Sequence, residues 1–124
     1  MRIVNGIFCF ILILFAVVQY NDPDFYLWGG IYGLAAVFAG IAALHPALFA
    51  QPGLRLSYLI ALAASVAGVI YYWPSTPRWW VKEVWWETET AREGMGMMIV
   101  LVVLLVVTAW ALYRHAASSR RTAA

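Results

Sequence analysis

The chain has 124 residues, 65% apolar and 11% charged, with a formal net charge of +2. Ordinary soluble domains carry about 45–50% apolar and about 25% charged residues, and a chain this small has too little interior to hide the excess. This balance excludes a soluble globule and a disordered segment, and the single cysteine excludes a disulfide-stapled scaffold.

Five prolines divide the chain: Pro23, Pro46, Pro52, Pro74 and Pro77 all stand between apolar runs. The runs cover 3–20, 26–44, 54–73 and 94–113, each near the roughly 20 residues that cross a hydrocarbon core. None carries Asp, Glu, Lys or Arg in its middle. Because only helices and closed barrels satisfy their own backbone at that depth, the predicted fold is all-α. It is an integral membrane antiparallel four-helix bundle forming a single domain over 1–124. The first run lacks a small-x-small cleavage site before Tyr20, so it is expected to stay as a span rather than leave as a signal peptide. A Trp- and acid-rich loop occupies 74–93 and a basic tail follows from 114.

Lys and Arg set the orientation. In a four-span arrangement Arg2, Arg55, Arg114, Arg120 and Arg121 share one side with both termini. Arg78, Lys82 and Arg92 share the other with all six acids: Asp22, Asp24, Glu83, Glu87, Glu89 and Glu93. Both termini are therefore expected in the cytoplasm and the acidic face outside, in the cell membrane. Trp79, Trp80, Trp85 and Trp86 spread around a helical wheel, so their loop is expected along the outer membrane surface and partly packed on the bundle.

Small residues spaced four apart allow close helix approach in lipid. Gly29/Gly33, Ala35/Ala39, Ala36/Gly40 and Ala64/Gly68 have that spacing and are expected to pack within the bundle. The last span has few small residues between Ile99 and Val107, and it is expected to face lipid over much of its surface. His45, His115 and the Met95, Met97, Met98 group read as interfacial and packing residues rather than metal ligands.

Two polar blocks remain. The first is Gln19, Asn21, Asp22 and Asp24, followed at helical spacing by Trp28 and Tyr32. Asp22 and Asp24 suit helix capping and the helix dipole, although capping alone does not require so many polar groups together. The second block, Glu89, Arg92 and Glu93, opens the last span; Thr90 with Glu93 has capping-box spacing, and Arg92 is positioned to pair with Glu89. In the four-span topology both blocks face the same side. There Arg92 can bridge to Asp22 or Asp24, or the carboxylates can together hold a hard cation through oxygen ligands.

These residues carry a resemblance. Gln19-x-Asn21-Asp22-Pro23-Asp24, then Trp28 and Tyr32, then Glu89-x-x-Arg92-Glu93-x-x-Gly96 before a last apolar span, resemble the transmembrane protein 220 family. The resemblance implies a small multi-span membrane protein with both polar blocks as hallmarks. It implies no activity, substrate or cofactor.

Nucleotide-binding, metalloprotease and nucleophile-elbow motifs are absent from the sequence, and no charge lies inside a span to mark an ion pathway. The expected function is a non-enzymatic accessory or scaffold component with an acidic outer cap. An oligomeric carrier of small solutes or ions is the alternative, and a lipid-modifying enzyme the third. The expected partners are the lipid bilayer and either a membrane protein or further copies of the chain; nucleic acid is not among them. No cofactor is indicated.

Overall fold

A computed structural model describes residues 1–123. The elements are α1 (Arg2–Val18), α2 (Phe25–Leu44), α3 (Pro52–Tyr71), the short α4 (Lys82–Glu87) and α5 (Glu89–Ala123). Single 3-10 turns at Gln19–Asn21 and Pro46–Ala50 join the first three helices. Among the described residues there is no strand, and α1, α2, α3 and α5 are each long and apolar enough to cross a membrane. Pro46 and Pro52 open the second 3-10 turn and α3, where a missing N–H costs nothing.

Across the bundle the order is α1, α2, α5, α3. Arg2 Nε donates to the Ala43 carbonyl at 2.6 Å, so the start of α1 meets the end of α2. Arg55 Nη2 donates to His115 Nδ1 at 3.0 Å, so the start of α3 meets the far part of α5. These outer pairs are antiparallel, whereas the central pair, α2 and α5, runs parallel. Both central helices begin at the same end. That is how two blocks distant in sequence become neighbours.

The burial pattern refines one expectation. The last span divides its surface: 44% of its apolar window is buried, equal to α2 and against 11% for α1 and for α3, and the remainder is left for lipid. Met97, Val100, Leu104, Val107 and Ala111 recur at helical spacing and form one buried stripe, while Val102, Leu105 and Leu112 stay exposed. The small residues that permit this close packing stand on the partner helices. Ala35, Ala39 and Ala42 of α2 are buried, and Gly68 of α3 leaves room for Met97, whose methyl group a Cβ there would strike. Gly33, by contrast, has open space beside it. Between α2, α3 and α5 the bundle keeps a mainly apolar groove of about 240 Å³, lined by Ala35, Val100 and Leu104 with Ser65 among them.

Candidate functional site

Where α2 and α5 begin, a cavity of about 480 Å³ opens between the two polar blocks. Gln19, Asp22 and Asp24 reach it from the first turn region, and Trp28 and Tyr32 from successive turns of α2. Glu89, Arg92 and Glu93 reach it from the first turns of α5. Asn21, exposed in the 3-10 turn, does not line it. The Asp24–Trp28–Tyr32 stripe follows directly from helical spacing.

The local hydrogen bonds differ from those expected of a capping arrangement. Asp24 occupies the position before α2 but forms no side-chain cap. The Thr90 hydroxyl meets the Thr76 hydroxyl at 3.1 Å rather than forming a capping box. Arg92 bridges to neither Asp22 nor Asp24, nor does it pair with Glu89. Its Nη1 donates to the Trp86 carbonyl at 2.6 Å and more weakly to Trp85 at 3.5 Å, closing the carbonyl end of α4. The only cation at the cavity is thus committed to backbone oxygens, and no carboxylate there has a salt bridge among the described residues.

Three of these acids converge. Asp24, Glu89 and Glu93 each place one carboxylate oxygen so that all three lie within 4.8 Å of one another. Two oxygens bound to one Ca²⁺ at 2.3–2.6 Å stand up to about 5 Å apart, so the triad has the dimensions to hold a hard divalent cation. The positive ends of the α2 and α5 dipoles meet here and lower the cost of gathering the acids. They do not cancel it. Glu93, just ahead of the apolar run of α5, has its pKa pushed up, first by partial burial and then by Glu89 and Asp24. The Trp28 indole and Arg92 act in the opposite direction.

A carboxyl whose pKa is raised on folding stabilises the fold while protonated, and that contribution is lost as pH rises through the folded value. Glu93→Gln is therefore expected to raise the midpoint of thermal unfolding at pH 7 by about 2 °C. The gain should shrink as pH falls toward the ordinary carboxylate range. An equal gain at pH 7 and pH 4.5 would contradict the repulsion.

The remaining wall is aromatic and apolar. Phe15 meets Tyr32 edge-on at 5.5 Å, and Tyr32 lies 5.7 Å from Trp28. Trp85 and Trp86 of α4 stand across the opening, 6.0 Å apart and edge-to-face. Met95 and Ile99 extend the lining along α5. Gly96 is essential to the shape, because a Cβ there would collide with the Tyr32 hydroxyl. The indole N–H of Trp28 is buried and faces Glu93, its one nearby acceptor, with imperfect hydrogen-bond geometry.

Trp85 and Trp86 belong to the segment expected to pack partly on the bundle, but the sequence does not show that they line this cavity. Their lack of an amphipathic stripe was the available signal, since α4 is too short to show one. Phe15 and Ile99 carry no sequence signal that separates them from other apolar span residues.

Comparison with curated proteins and with solved structures gives no match. A protein-family model described as Transmembrane family 220, helix, matches residues 11–109. That match covers most of the chain and takes in both polar blocks along with every residue of the cavity. The chain therefore belongs to transmembrane family 220.

Proposed function

We propose that this membrane protein is a non-enzymatic accessory component whose acidic cap, on the outer side of the cell membrane, engages a cation. The carrying observation is the convergence of Asp24, Glu89 and Glu93 without a basic partner. Four carboxylates against one guanidinium line the cavity, a formal charge of −3. Such a mouth attracts cations and repels anions at low ionic strength. The lining offers carboxylates and aromatic faces, groups that hold a cation directly. Binding is the simpler use of this geometry.

Native mass spectrometry of protein released gently from membranes tests the reading. The expected spectrum shows a bound mass, ion or partner, that is absent from the Asp24→Asn/Glu89→Gln/Glu93→Gln variant. Identical spectra for the two proteins would return both blocks to a purely structural role. Sidedness rests on the arginines, five of which cluster with the termini. A reporter fused after Ala124 is expected to be active only in the cytoplasm, and activity outside would place the acidic cap inside the cell.

A further inference from the structure

We propose that the cation is organic: an ammonium group on an amphiphile, seated among the carboxylates and tryptophans with its hydrocarbon along the apolar wall. This inference rests on the cation-binding role proposed above and names its ligand class.

Size is the first ground. A bare metal ion needs only the Asp24–Glu89–Glu93 triad, whereas the cavity reaches about 480 Å³, within the range of small-molecule sites. Its chemistry is the second. Behind the carboxylates the lining is mainly apolar, with Phe15, Met95 and Ile99 leading away from the acids. A hydrated metal ion gains nothing from that surface, but a hydrocarbon does. The tryptophans are the third ground. Trp85 and Trp86 stand at the acidic mouth, and tryptophan faces together with carboxylates are the surroundings that favour ammonium ions through cation–π attraction.

The indole N–H of Trp28 supplies an independent indication. Trp28 is 2% exposed and lines the cavity, and its Nε1 faces the Glu93 carboxylate without closing a well-formed hydrogen bond. A buried donor so poorly paired is costly. A ligand with an oxygen near its ammonium group, such as an amino-alcohol ester, satisfies this donor while the carboxylates take the charge. An ammonium amphiphile reaches the site either as a lipid headgroup or as a free molecule from the outer side.

Isothermal titration of the full chain in neutral maltoside micelles tests the inference, with hexyltrimethylammonium, hexanol and calcium chloride as probes. Saturable binding of hexyltrimethylammonium but not hexanol is expected. Asp24→Asn/Glu93→Gln should weaken it at least tenfold, with the variant's folding checked by thermal unfolding. Trp86 is 66% exposed, so Trp86→Ala should fold normally, yet it should weaken ammonium binding by about fivefold. Competition by phosphatidylcholine but not by diacylglycerol supports the inference with a lipid headgroup as the source. Competition by neither supports it with a free amphiphile. Calcium binding without ammonium binding overturns the organic ligand and leaves the cation site standing. Binding of neither cation overturns both. Ammonium affinity unchanged in Trp86→Ala overturns the aromatic seat.

Discussion

Replacing Trp28 by alanine is expected to cost about 3–5 kcal/mol, the usual range for emptying a buried aromatic position. In detergent the unfolding midpoint should fall by roughly 15 °C. Trp28 is 2% exposed and holds three elements together. Its ring meets Tyr72, just beyond α3, edge-on at 5.1 Å and packs on Tyr32 of α2 at 5.7 Å, while its indole faces Glu93 of α5. Alanine leaves a void at the point where α2, α5 and the end of α3 converge, and the surrounding helices relax only partly into it. Trp28→Phe is the control. Phenylalanine keeps most of the ring contacts and deletes a donor whose hydrogen bond to Glu93 is poorly formed, so its expected cost is only about 1 kcal/mol. Equal losses for the two variants would show that packing is not what Trp28 contributes.

Gly94→Ala is expected to lower the midpoint by roughly 8 °C, corresponding to about 2 kcal/mol of overpacking. A Cβ at Gly94 would strike the Pro74 ring and the Tyr72 carbonyl. Neither yields easily, since one is a rigid ring and the other is backbone at the end of α3. The contact sets how closely the segment after α3 crosses the start of α5, and hence where Glu93 stands. Gly33→Ala supplies the contrast. No neighbour lies within 4 Å of a Cβ there, and alanine is the better helix former by about 1 kcal/mol. That variant should be neutral or slightly more stable. If it proved as damaging as Gly94→Ala, the steric account of Gly94 would fail.

Gly96→Ala acts on the cavity instead. Its Cβ meets the end of a side chain, the Tyr32 hydroxyl, whose ring lines the cavity. A modest stability loss with a clear loss of binding distinguishes this glycine from Gly94.

Four membrane-length helices were legible in the sequence because the bilayer sets a length, and an apolar run shows it without tertiary information. The proline punctuation and the two polar blocks at one end were legible for the same reason, since each is a local property of the chain. The helical spacing of Asp24, Trp28 and Tyr32 likewise placed them on one stripe before any packing was known.

Tertiary structure decided which helices lie at the centre and how the polar blocks meet. Apolar side chains look alike to lipid and to another helix, so composition did not separate the buried stripe of α5 from a lipid-facing one. The small residues that accept Met97 and its neighbours stand on α2 and α3, and only packing brings them together. The same limit hid the cavity. Arg92 had several acids within plausible reach, yet it is drawn to the carbonyls closing α4, which leaves Asp24, Glu89 and Glu93 facing one another. Local periodicity reports which face of a helix a residue occupies; it does not report what stands opposite that face.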